Sequence, residues 1–302
     1  MQSCFLEARA KINIYLEILG QRPDGFHEVA MVLQSIALAD HLHLRALSKG
    51  IYLRSDHPQV PQDATNLAYR AAALLQEECA GGRGVEIILH KRIPVGAGLA
   101  GGSTDAAAVL VGLNQLWELG LTVADLQILG SRLGSDVPFC ITGGTQLATG
   151  RGEILEPLAD LPLLPLILAK PKELSIPTVW AYQTYRQLDY GHVDQSRPAS
   201  RLQNLLLTIG QTTTVSDLVE HLANDLERAV LPHHPVVGYL KEVLLQAGAL
   251  GVLMSGSGSA VFGLMLTDSD ALAMQERLSR THPEFEFWAT HTTPTAIVLT
   301  QD

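Results

Sequence analysis

The chain has 302 residues, 47% of them hydrophobic and 17% charged, which excludes a disordered chain and allows a sizeable core. That length lies near the size at which one core divides, so two domains are expected. Its 21 basic and 31 acidic side chains leave a net charge of -10, against the basic balance of a nucleic-acid binder, so any anion it takes must meet donors concentrated locally.

The opening MQSCFLEARAKINIYLEILG has no unbroken apolar segment of the kind a secretory leader carries. Within it, KINIYLEIL (11–19) alternates and predicts a strand. RPDGFH (22–27) sets Pro23, Asp24 and Gly25 side by side and predicts a turn. EVAMVLQSIALADHLHLRAL reads as further extended chain. DATNLAYRAAALLQEEC (63–79) has helical spacing, with Thr65 as its expected N-cap. GVEIILHKRI (84–93) predicts a strand, a glycine-rich loop follows, and a helix is expected from about Ser103 to Trp117. TVADLQILGSRLG (122–134) predicts another helix, ended by Gly134. DVPFCITGGTQLATGRGEIL (136–155) has strand-and-turn texture, which sets Asp136 between a helix end and a proline-stiffened strand.

Further on, LPLILAKP predicts a strand and SIPTVWAYQTYRQL (175–188) a short helix. DYGHVDQSRPASRLQN (189–204) reads as a polar loop. VSDLVEHLANDLERAVL and VVGYLKEVLLQAG read as helices, and ALGVLMSGSGSAVFGLML (249–266) as strand, glycine turn, strand. A helix around Ala271 to Ser279 and a strand AIVL (296–299) complete the pattern. The whole is mixed α and β, with a boundary near 155–160 and no repeat at a fixed period. LPLLPLILA (161–169) is too short to span a bilayer and carries two prolines. Cys4, Cys79 and Cys140 fit neither a metal spacing nor a disulfide framework, which suits a reducing cytoplasm.

The glycine-rich stretch holds Gly96, Gly98, Gly101 and Gly102 at the mouth of a helix. Glycine lets backbone approach a ligand, and a helix start offers unpaired N–H groups and the positive end of a dipole. Together these make a phosphate cradle. Gly96, Gly98 and Gly101 also spell G-x-G-x-x-G, a dinucleotide fingerprint, yet Lys91, Arg92 and Pro94 interrupt the apolar strand that such a fingerprint follows. No Gly-Lys-Ser/Thr closes a Walker A loop. The hydroxyls of Ser103 and Thr104 can cap the helix, bind phosphate or hold Mg²⁺. A Cβ at Gly101 or Gly102 is expected to collide with a bound triphosphate or force an unfavourable φ.

PVGAGLAGGSTDAA, MSGSGSAVF and ARAKINIYLEILGQRPDGFHEVAMVLQSI together resemble the GHMP small-molecule kinases, and the resemblance covers essentially the whole chain. The combination of AKIN, RPDGFHE, LGSDVPF and SIPT is similar to the branch that phosphorylates a cytidine-diphosphate-linked methylerythritol in the non-mevalonate isoprenoid pathway. The resemblance implies an α+β, two-domain GHMP-kinase fold. Residues 1–157 would form a ribosomal-protein-S5-domain-2-like, ATP-binding domain. Residues 158–302 would form a ferredoxin-like substrate domain whose last strand can return to the first.

It also implies ATP and Mg²⁺, and an active site in the cleft between the domains. Lys11 and Asp136 would be the catalytic pair. Pro94, Val95, Gly96, Ala97, Gly98, Leu99, Ala100, Gly101, Gly102, Ser103 and Thr104 would cradle the ATP phosphates, with Asn66 and Lys91 near the adenosine. Asn13, Phe26, His27, Asp136, Thr178 and Tyr182 would face the cytidine substrate. The metal's protein ligands are not legible in the sequence, with Ser103 the first candidate. Many relatives carry Tyr at the position of Phe26, so stacking is kept there and a hydroxyl is lost.

The residue chemistry agrees, because phosphoryl transfer is mostly positioning and charge stabilisation. Lys11 can meet the reacting phosphate. Asp136 can accept or orient the hydroxyl proton, and Lys11 can hold it ionised. Phe26 and Tyr182 can sandwich a cytosine. Two other readings stay open. A homoserine or mevalonate kinase needs no nucleobase pocket. An NAD-dependent oxidoreductase would need an acid about 20 residues past the fingerprint, and Glu118 ends a helix instead. The expected partner is a small molecule, with no nucleic acid or membrane. The expected location is the cytoplasm, or a plastid stroma after removal of a transit peptide.

Overall fold

The computed structural model describes residues 2–188, 200–211 and 214–300. Two long strands organise the first half. β1 (Ser3–Gln21) and β2 (His27–Leu47) run antiparallel on either side of the 22–26 turn. β3 (Ile51–Ser55) follows, then α1 (Leu67–Leu75), which continues into a π-helical turn at Gln76–Ala80. Next come β4 (Gly84–His90), α2 (Gly101–Leu116), α3 (Val123–Ser131), α4 (Val137–Thr142), β5 (Thr145–Thr149) and β6 (Ile154–Pro157). β4 pairs with the far end of β2, β3 lies parallel to β4, and β5 pairs with the near end of β2. α2 is buried on nearly all sides, and its Ala106, Ala107 and Ala108 let the small residues Ala68, Ala71 and Ala72 of α1 come close.

The second half runs through β7 (Pro165–Pro171), α5 (Thr178–Gln187), α6 (Ser200–Ile209), α7 (Val215–Val219), β8 (Ala223–Asn224) and α8 (Glu227–His233). It ends with α9 (Pro235–Ala247), β9 (Gly251–Met254), β10 (Val261–Leu264), α10 (Asp268–Thr281), β11 (Phe285–His291) and β12 (Ile297–Thr300). The second sheet has the order β11-β7-β10-β9, antiparallel throughout, which is the ferredoxin-like arrangement. Two of these strands leave it. β12 pairs antiparallel with Phe5 to Ala8 of β1, and β8 pairs parallel with Tyr15 and Leu16.

The outer edge of β1 is therefore covered at both ends and open between. Into that opening comes the glycine-rich loop: the Lys11 N–H donates to the Leu99 carbonyl at 3.2 Å. β-Bulges at Arg9/Lys11 and Asn13/Tyr15 flank the same stretch. Among the described residues, no helix is long and apolar enough to cross a membrane.

Several expectations need correcting. Asp136 does not precede a strand. It is the N-cap of α4, and Pro138 sits in the first turn of that helix, where a missing N–H is harmless. Asn66, not Thr65, caps α1, with its Oδ1 accepting from the Ala68 N–H at 2.8 Å. Residues 215–231 are not one helix, because β8 interrupts them to pair with β1. Of the polar stretch 189–204, residues 189–199 lie outside the described residues, and the rest begins α6. β3 and β11 carried no clear signal in the sequence.

Candidate active site

A cleft of about 760 Å³ gathers side chains from both halves of the chain. Lys11 and Asn13 are two apart on β1 and so share a face. The Lys11 ammonium donates to Asn13 Oδ1 at 2.6 Å, and both are buried in the cleft floor. Asp136 lines the cleft from the start of α4. Among the described ion pairs, none joins Lys11 to Asp136, so the direct pairing expected of them is absent here. Both charges still bear on the Cys140 thiol, whose pKa is pushed up by burial first and then by Asp136, while Lys11 opposes the rise.

The loop from Pro94 to Ser103 forms one wall, and each of its residues lines the cleft. Its left-handed glycines are Gly96 and Gly98, at φ +64° and +78°. A Cβ on Gly98 would overlap the Ser255 carbonyl oxygen, and one on Gly96 would overlap the Ser175 hydroxyl. The loop is thus clamped by the second half: the Ala260 N–H donates to the Ala97 carbonyl at 3.1 Å, and the Ser255 hydroxyl to the Gly98 carbonyl at 3.2 Å. Gly101 and Gly102 are helical residues of α2, so the unfavourable φ expected there is absent. A Cβ at Gly101 would meet Ile93 Cγ2 at 3.0 Å and Lys91 Nζ at 3.2 Å, whereas Gly102 faces near-open space. The first-turn N–H groups of Gly101, Gly102 and Ser103 have no carbonyl one turn back, which leaves them for an anion. Thr104 is turned away. It is buried, and its hydroxyl donates to the Arg9 carbonyl at 2.9 Å.

Asn66 and Lys91 line the same end. Asn66 is occupied by its cap and by a 2.7 Å hydrogen bond from its Nδ2 to the Pro61 carbonyl. The Lys91 ammonium bonds to Asp40 Oδ2 and, at 2.7 Å, to Asp105 Oδ2. Burial works against this ammonium, yet Asp105 and Asp40 outweigh it and hold its pKa above the usual lysine value. Burial likewise pushes the Asp105 carboxyl above the usual carboxylate range, against the pull of Lys91. Asp105 Oδ1 is buried without a hydrogen-bond partner.

The opposite end is built from side chains. Tyr182 of α5 packs on His27, with ring centroids 5.3 Å apart and planes at 34°. Phe26 is 54% exposed and has the Arg151 guanidinium 4.8 Å above its ring. The ring beside Tyr182 is therefore His27, while Phe26 stands at the rim of the same cleft. Burial, and then the charge of Arg186, hold the His27 pKa below its ordinary value, so the imidazole is neutral at pH 7. Burial raises the Tyr182 phenol well above its usual range, with Asp136 adding to the effect. The Thr178 hydroxyl lies 3.1 Å from that of Ser257 in the second glycine turn. Sequence reasoning missed Asp40, Asp105, Arg151, Arg186 and Ser257, all but Asp40 lining the cleft.

The G-x-G-x-x-G reading as a dinucleotide site fails on topology. The strand before the loop, β4, sits in a largely antiparallel sheet with no parallel βαβ unit across the loop. Family models described as GHMP kinases N terminal domain and GHMP kinases C terminal match residues 66–144 and 207–284. The 4-diphosphocytidyl-2-C-methyl-D-erythritol kinase of Synechococcus sp. strain JA-3-3Ab is 57% identical over 307 aligned positions, which cover 100% of this chain and 98% of that one. The chain belongs to the 4-diphosphocytidyl-2-C-methyl-D-erythritol kinase family. A second member of the family, from Synechocystis sp., is 50% identical over 97% of both chains. A crystal structure of 4-(cytidine 5'-diphospho)-2C-methyl-D-erythritol kinase matches with a TM-score of 0.78 at 36% identity, over 95% of this chain and 98% of that one. A homoserine kinase from Cytophaga hutchinsonii has the same TM-score of 0.78 at 21% identity, over 99% of this chain and 98% of that one. The fold is thus shared well beyond the family, and its members must be told apart by their sites.

Proposed function

We propose that the chain transfers the γ-phosphoryl group of ATP to the 2-hydroxyl of 4-diphosphocytidyl-2-C-methyl-D-erythritol, a step of non-mevalonate isoprenoid synthesis. The observation that carries this reading is one cleft with two unlike ends, a backbone anion cradle and an aromatic–imidazole pair, and with Lys11 and Asp136 lining it. A homoserine or mevalonate kinase has no use for the second end.

In this reading the N–H groups at the start of α2 hold the triphosphate, and Lys11 offsets charge that develops on the transferred group. Asn13 fixes the direction of the Lys11 ammonium through their 2.6 Å bond. Asp136 accepts or orients the proton of the acceptor hydroxyl. Asp136 stands at a helix start, and Pro138 in the first turn stiffens the backbone just after it. Neutral His27 presents one donor and one acceptor nitrogen, which suits the edge of a cytosine, and Tyr182 supplies a stacking face. Thr178 and Phe26 complete the acceptor end. Asn66, and Lys91 through its stem, border the nucleoside of ATP.

No group of three or more His, Cys, Asp or Glu able to hold a metal occurs among the described residues. This fits Mg²⁺ carried mainly by phosphate oxygens and water, with one or two side chains of the chain, Ser103 first among them. Bound there, Mg²⁺ would neutralise part of the β,γ-phosphate charge. We read residues 1–157 as the ATP-binding domain and 158–302 as the substrate domain, with β12 returned to the first sheet, and the site of action as the cytoplasm.

The test is ADP release with Mg²⁺, ATP and each of three acceptors: 4-diphosphocytidyl-2-C-methyl-D-erythritol, homoserine and mevalonate. The expected outcome is turnover of the cytidine compound alone, with a new phosphomonoester signal in ³¹P NMR. Preferential turnover of either other acceptor overturns the reading.

A further inference from the structure

We propose that Asp40, Lys91 and Asp105 form a buried clasp that positions the 94–102 loop for the nucleotide, a role that rests on reading this loop as the triphosphate cradle. Asp40 lies on β2 and is 0% exposed. Its Oδ1 accepts the backbone N–H groups of Arg92 at 2.6 Å and Ile93 at 2.9 Å, and its Oδ2 takes the Lys91 ammonium. One carboxylate therefore holds three consecutive residues just before the loop. Lys91 then reaches across to Asp105, in the second turn of α2 just after it. The chain enters and leaves the loop through one hydrogen-bonded cluster.

A glycine-rich loop has many alternative conformations, and a cradle made of backbone works only if its N–H groups are held in place. β1 and the second half grip the middle of the loop, at Ala97, Gly98 and Leu99. The clasp grips its two ends. The Lys91 ammonium also fills the space beside Gly101, 3.2 Å from where a Cβ would stand, and so sets the first turn of α2. Two carboxylates round one buried ammonium are dearer to desolvate than an apolar packing of the same volume. A merely structural anchor at this place has no need of them. Lys91 and Asp105 border the cleft, but the ammonium is spent on the two carboxylates, so these are positioning residues.

The experiment compares Asp40→Asn and Asp105→Asn with the wild type. It measures both KM values, kcat, and affinity for a non-hydrolysable ATP analogue by calorimetry. Asp40→Asn keeps the shape and loses the charge that holds Lys91. The expected result is a roughly 10- to 100-fold weaker hold on ATP and its analogue, with the acceptor KM changed less than about twofold, the scale of a cradle displaced by an ångström. Equal rises in both KM values, or an unchanged analogue affinity, overturn the proposal. If Asp40→Asn does not fold, Asp105→Asn decides: a smaller loss confined to the nucleotide supports the clasp, and unchanged or unselective affinity overturns it. Failure of the underlying reading looks different, because the wild type would then release no ADP from ATP.

Discussion

The two ends of the cleft are made of different material. At the glycine end the contacts offered are main-chain N–H groups, and side chains are used to hold that backbone still, as Asp40 and Ser255 do. At the other end the surfaces offered are side chains, and His27, Tyr182 and Phe26 stand on a strand end, a helix and a turn. A backbone site tolerates few additions, because a Cβ at Gly96 or Gly98 has nowhere to go. A side-chain site fails by subtraction, since each ring is a separate contribution. The lesson is that glycine-to-alanine changes probe the first end and aromatic-to-alanine changes the second.

The largest effect should fall between the ends, where neither rule applies. Asp136→Asn is expected to lower kcat by roughly 10²- to 10⁴-fold with both substrates still binding, the span usual for an acid–base group. Lys11→Met should lose a similar amount. Because Lys11 is bonded to Asn13 and not to Asp136, the two losses should multiply in the double variant. A double variant no slower than either single one would show that the two act as one unit in the complex.

Next comes the cradle. Gly98→Ala places a residue with a side chain at φ +78° and against the Ser255 carbonyl. The left-handed conformation alone costs ~1–2 kcal/mol, and the overlap adds to it. Calorimetry should find ATP-analogue affinity reduced and acceptor affinity kept; equal losses would mean that the second glycine turn, and with it the whole cleft, had shifted. Tyr182→Ala should do the converse. Loss of one stacking face is worth about 1–3 kcal/mol per base, seen as a raised acceptor KM with the ATP KM nearly constant. If neither KM moves, Tyr182 is ordinary packing.

The smallest effect concerns charge at the acceptor end. The folded-state pKa of His27 lies below 6.5, so the folded protein resists protonating it. Its contribution to stability is complete above 6.5 and lost as the pH falls through the folded value. Arg186→Gln removes one of the two causes and should move the His27 midpoint, followed by NMR, back toward 6.5. A midpoint that stays put would assign the whole shift to burial.

The same contrast explains what the sequence disclosed. The glycines were legible because their chemistry is local, glycines before a helix, whereas Lys11, Asn13, Asp136 and Tyr182 were singled out by the resemblance to the GHMP kinases, and all four line the one cleft. The helix at Asp136 was not legible, since SDVPF carries a proline and a β-branched valine that favour extended chain in isolation. The clasp was hidden because its partners are 51 and 14 residues apart. One signal did exist. Asp40 falls in phase with the buried Leu42 and Leu44 on β2, and an acid on an apolar stripe asks for a partner. The break of 215–231 by β8 had no local mark at all, because only the bare edge of β1 calls for it.

That borrowed edge bears on the order in which the protein is made. A ribosome that has released residues 1–157 has delivered β1 and β2 but neither β8 nor β12, so the outer rim of β1 emerges with its amide and carbonyl groups open to other chains. The rim closes only when residues 297–300 leave the exit tunnel and lie down beside Phe5 to Ala8. Until then the open rim of β1 is a template on which newborn copies on one messenger can mispair.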